Sequence, residues 1–131
     1  MHNKRKAESA KNTKRDEILK SLKTLYEKTH FEIQEIQKKL LDLKKYHNNN
    51  KEQKEIVKEA INFIANDMKS FLGDMQKQIK KIKKVGILNK ETITAIIEGP
   101  IVSDIRNIEG GMNICLKTIE SLQQMKNDKG S

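Results

Sequence analysis

Leu40-Leu41-Asp42-Leu43-Lys44-Lys45-Tyr46-His47-Asn48-Asn49-Asn50-Lys51-Glu52-Gln53-Lys54-Glu55-Ile56-Val57 sets an asparagine triplet in the middle of helix-forming sequence. Asparagine hydrogen-bonds its own backbone and tolerates the left-handed region, so His47 to Asn50 reads as a turn. Leucine, lysine, glutamate and glutamine crowd both flanks and favour helix. The stretch is therefore a helix, a tight turn and a second helix.

Upstream of the turn, Ile18, Leu22, Leu25, Tyr26, Ile33, Ile36, Leu40 and Leu43 fall on one helical face. This predicts a helix from about Lys14 to His47. Asp16 and Glu17 lie in its first turn, where carboxylates suit the positive helix end. Downstream, Val57, Ile61, Ile64, Met68, Leu72, Met75, Ile79 and Ile82 predict a helix from Lys51 to about Val85. Gly86 followed by Ile87 gives the glycine C-cap pattern. Each helix is about 34 residues, or roughly 50 Å at about 1.5 Å per residue. So short a turn forces them into an antiparallel hairpin.

Asn89 is placed to cap a third helix from Lys90. Its stripe is Ile93, Ile97, Ile101, Ile105, Ile108, Met112, Cys115, Ile119 and Leu122. Gly99-Pro100 interrupts it, because proline lacks a donor and disfavours helix at the residue before it. The stripe keeps phase across the break, which predicts a kink or a one-turn restart and not a reversal. The expected fold is an all-α, elongated antiparallel three-helix bundle. If Gly99-Pro100 splits the third helix, a fourth short helix results. Residues 1–13 are expected to be a disordered basic tail, 14–127 one helical domain and 128–131 a frayed end.

Composition agrees. The 131 residues are 34% charged, 35% hydrophobic and 4% aromatic, with one proline and no tryptophan. So polar a chain supplies narrow apolar stripes rather than a thick core. Met1-His2-Asn3-Lys4-Arg5-Lys6 has no apolar segment of the secretory kind after it, and no run approaches membrane-spanning length. With Cys115 as the single cysteine, this predicts a cytoplasmic protein without a disulfide.

No catalytic or metal-binding pattern is present. HExxH, CxxC, Walker-type and GxGxxG motifs are missing, and His2, His30 and His47 are scattered. The carboxylates interleave with lysines, as in surface pairing along helices. Cys115 falls on an apolar face as a small hydrophobe. The chain is expected to be non-enzymatic and to need no cofactor.

Two features could carry binding. The formal net charge is +9, and from Lys77 to Lys90 there is no acidic residue. In the hairpin, Lys14, Arg15, Lys20 and Lys23 come beside Lys77, Lys80, Lys81, Lys83 and Lys84. This end is either a docking surface for phosphates or an acidic partner, or a solvated face matched to the helix dipoles. Phe31 lies opposite Leu22 on its helix, and Phe63 and Ile56 are displaced from their stripe. The three form either an exposed apolar patch for a partner or a flank covered by the third helix. Gly110-Gly111, inside the cleanest stripe, marks either close backbone approach or a tolerated irregularity. The leading expectation is a protein-interaction or structural module that self-associates or binds a protein. The alternative is a basic accessory protein that contacts nucleic-acid phosphates without sequence specificity. Membrane-surface binding is disfavoured, because lysines spread around each polar face.

Overall fold

The structure, a computed structural model, describes the backbone of residues 2–47, 50–85 and 89–130, and within these the side chains from 14 to 125. It is an all-α antiparallel bundle of three long helices. α1 is His2–Tyr46. α2 covers residues 51–84 and consists of Lys51–Phe63, a π turn at Ile64–Met68 and Lys69–Lys84. α3 covers residues 90–130 and consists of Lys90–Ile96, a π turn at Ile97–Ile101 and Val102–Gly130.

The asparagine turn ends in a cap. Asn50 is extended, and its side chain accepts a hydrogen bond from the Gln53 amide at 3.1 Å. Asn89 occupies the corresponding position before α3 but works differently. Its side-chain oxygen accepts from the Thr92 hydroxyl at 2.6 Å and from no backbone amide. The expected Gly86 cap lies outside the described residues.

Three boundaries differ from the sequence expectation. Helical backbone reaches back to His2, through the segment expected as a disordered tail. Ala, Lys, Arg and Glu dominate that segment, and no proline or glycine stops propagation there. At the other end α3 continues to Gly130, past the expected fraying point, again without a breaker before it. Gly99-Pro100 makes no fourth helix. It sits inside the π turn, where the Val102 amide reaches five residues back to the Ile97 carbonyl. The wider turn takes up the donor that Pro100 lacks and lets α3 run on. A second π turn, without proline or glycine, has the Lys69 amide bonded to the Ile64 carbonyl.

α3 returns alongside the hairpin, parallel to α1 and antiparallel to α2. His47 meets Leu122, while Asp74 meets Asp104. Buried side chains form two clusters. The larger, near the turn, takes four residues from each helix: Ile33, Ile36, Leu40 and Leu43; Val57, Ile64, Met68 and Leu72; Ile108, Cys115, Ile119 and Leu122. The smaller, at the opposite end, holds Leu22, Met75, Ile79, Ile82, Ile93 and Ile101. Phe63, Ile56 and Met112 pack half-buried against the larger cluster. Among the described residues no helix is long and apolar enough to cross a membrane.

Candidate functional site

The lysines expected to form one basic end divide between two sides of α2. Lys80 and Lys83 face Lys20 and Lys23 of α1 across a cleft of about 460 Å³. Leu19, Tyr26 and Ile79 also line it, and Asp16 and Glu27 are its two acidic members. Lys77 and Lys81 turn to the α3 side, close enough to Asp74 to act on its carboxylate. Lys81 lines a separate cleft with Gln78, Asn89, Glu91, Thr92 and Pro100. Lys84 and Lys14 are exposed and line neither cleft, while Arg15 is half-buried. Helical spacing explains the division, since residues 77 and 81 share one flank of α2 while 80 and 83 share another.

Among the described residues the only ion pair within 4 Å joins Arg15 to Asp16 at 3.9 Å. The surface pairing expected of the interleaved carboxylates and lysines therefore does not form at that distance among the described residues. Long solvated side chains gain little from such pairing. The lysines around the α1–α2 cleft stand without a carboxylate partner at that distance.

The apolar patch also resolves into separate parts. Phe31 is 60% exposed. It borders a groove of about 480 Å³ between α1 and α3, together with Ile36, Met112 and Leu116. Leu116 is itself 43% exposed. Glu32, Glu35 and Glu109 stand around the groove against a single cation, Lys39. On a chain of net charge +9, this is a locally acidic site. Ile56 and Phe63 belong elsewhere, half-buried against the core. Phe63 lies under α3, where a Cβ built on Gly111 would meet its ring at 3.0 Å and would also meet the Met68 sulfur. Gly111 is thus the point of close helix approach, whereas a Cβ on Gly110 meets open space.

The burial of Asp104 and of His47 escaped the sequence reading. Asp104, 7% exposed, meets Asp74 where α3 packs on α2. Burial, and then the Asp74 carboxylate beside it, pushes Asp104 up to about 7. Asp74 is held below the ordinary carboxylate value, chiefly by the hydrogen bond from Asp104 and further by Gln78, Lys77 and Lys81. The two shifts describe one shared proton that resides on Asp104. Gln78 donates to Asp74 Oδ1 at 3.4 Å. Asp104 Oδ2 is buried and meets no donor, so an ionised Asp104 would carry unpaired buried charge. The second group is His47, 1% exposed. Its Nε2 donates to the Leu122 carbonyl at 3.0 Å, and Nδ1 lies 2.6 Å from Gln53 Oε1.

A signal for each is visible in retrospect. His47 continues the steps of four and three through Ile36, Leu40 and Leu43, and Asp104 stands three after Ile101 and four before Ile108. Cys115 is buried, and burial pushes its thiol up, away from the reactive thiolate. Among the described residues no group of three or more His, Cys, Asp or Glu side chains gathers in a way that could hold a metal. Comparison with known protein families, with curated proteins and with solved structures returns no match to this chain.

Proposed function

We propose that this chain is a non-enzymatic interaction module, a helical bundle that offers the α1–α3 groove and its exposed Phe31 to a protein. One observation carries the reading. A large aromatic side chain stands 60% exposed on the side of α1 away from the core, beside Met112 and Leu116, inside a ring of carboxylates. An exposed aromatic next to apolar neighbours and a charged rim is the composition of an interface anchor. A chain this small and polar would also gain stability from covering it.

Phe31→Ser tests this. Association with the partner or with itself is expected to fall while the melting temperature changes little, because Phe31 contributes little to the core. Phe63→Ser is the control, and it should lower the melting temperature sharply. A Phe31→Ser protein that binds as well as wild type would remove the groove from consideration.

A second reading is favoured by the cleft at the other end. Lys20, Lys23, Lys80 and Lys83 surround one depression without ion-pair partners within 4 Å. Such a rim suits phosphates held without sequence preference and with strong salt dependence. A gel-shift series with DNA and RNA at rising salt addresses it directly. Absence of binding at low salt would discard it.

A further inference from the structure

The acidic groove and the basic cleft complement each other. The groove sets three carboxylates against one ammonium around the apolar Phe31 and Leu116. The cleft sets four ammonium groups against two carboxylates around Leu19 and Ile79. One lies between α1 and α3, the other between α1 and α2, so they occupy different faces of the molecule. Their α1 residues are centred about thirteen positions apart, or roughly 20 Å along the helix axis. A single molecule cannot fold its own groove onto its own cleft.

We infer that the occupant of the Phe31 groove is a second copy of this chain, which docks its Lys20/Lys23/Lys80/Lys83 cleft there and takes Phe31 between the two lysine pairs. The inference rests on the interaction reading above and names the partner. Glu32, Glu35 and Glu109 then face the lysines, and the ring covers the apolar cleft lining. The net charge of +9 opposes association at long range. At physiological salt the screening length is about 8 Å, so that repulsion is damped while opposed charges in contact still attract. The contact is heterologous: each molecule uses its groove on one neighbour and keeps its cleft for another. Such contacts propagate into rings or filaments rather than stopping at a symmetric dimer.

Sedimentation of the full chain at physiological salt tests this. Wild type is expected to increase in mean mass with concentration without a plateau at the dimer, unless a ring closes. Phe31→Ser should weaken association about tenfold or more. K80E/K83E should abolish it, and K20E/K23E makes the same change from α1 should the first pair disturb the α2 terminus. The decisive sample is an equimolar mixture of Phe31→Ser and K80E/K83E. The first retains an intact cleft and the second an intact groove, so the mixture should form 1:1 dimers that grow no further. Wild type that stays monomeric at every concentration, or a mixture that stays monomeric, overturns the second-copy assignment. In that event, loss of another protein partner by Phe31→Ser would leave the interaction reading standing. Self-association unaffected by Phe31→Ser would overturn both.

Discussion

Near the turn, twelve buried residues, four from each helix, close over one another, and His47 reaches from the end of α1 to the Leu122 carbonyl of α3. At the opposite end six buried residues do the same task, and only one of them, Leu22, comes from α1. The first region is a sealed three-way contact. The second is chiefly an α2–α3 contact with α1 resting on it through half-buried Leu19, Leu25 and Tyr26. Between the two lies the Asp74–Asp104 pair, which meets where one cluster gives way to the other. An apolar core that is equally shared should unfold as a unit. One that is shared unequally should open first along its least committed helix.

The largest effect expected on this contrast is from truncating the sealed region. Leu40→Ala should cost about 4 kcal/mol in urea unfolding, against about 2 for Leu22→Ala. Equal costs would erase the distinction. Amide exchange on wild type would draw it finer, with protection high around Leu40 and falling along α1 toward Lys14. His47→Ala should come next, at about 2–3 kcal/mol, because it leaves both a void and a Leu122 carbonyl without its donor.

The carboxyl pair gives the boundary a pH dependence. Asp104 titrates near 7 in the folded chain and near about 4 when unfolded. A raised acid favours the folded state fully below the unfolded value, and that advantage is lost as pH rises to 7. Asp74 is shifted the other way, and its contribution is lost as pH falls below its ordinary value. Stability should therefore decline from about pH 4 to about pH 7, by up to about 1.4 kcal/mol per pH unit. Asp104→Asn keeps a donor toward Asp74 and needs no proton. It should flatten this slope in thermal melts and stabilise the protein by about 1–3 kcal/mol at pH 8. A slope unchanged in the variant would assign it to other groups. The smallest effects concern Gly110-Gly111. Gly110→Ala should stabilise by about 1 kcal/mol in thermal melts, the ordinary helix-propensity difference. Gly111→Ala should cost about 1 kcal/mol net, because its methyl group runs into Phe63 and Met68.

The stripes were legible because burial on a helix follows a period, and nearly every buried apolar residue stands where its period puts it. The close approach at Gly111 was one of two readings of a glycine pair, and only the position of α2 could choose between them. The division of the lysines could not be read, since it depends on which flank of α2 receives α1 and which receives α3. The same holds for Phe31. Its angle from Leu22 was plain, but whether α3 covered it was a matter of tertiary packing. Asp104 was passed over because an acid in a lysine-rich chain reads as solvated. Its phase with Ile101 and Ile108 pointed inward.

The π turns, too, were written in the spacing. Ile64, Met68 and Leu72 are separated by successive steps of four, as are Ile93, Ile97, Ile101 and Ile105. Successive fours drift off an α-helical face, and a turn closed over five residues restores the phase. Each π turn therefore holds one residue more than an α turn at the same height. Loss of one residue there, such as Ala65 or Gly99, could relax the turn to ordinary α-helix with both flanking stripes still facing inward. Loss of one residue from α1, which has no π turn among its described residues, would rotate everything beyond it by about 100° and turn the buried face outward. A one-residue deletion inside this bundle should thus be tolerated best at the two π turns and in the connections between helices.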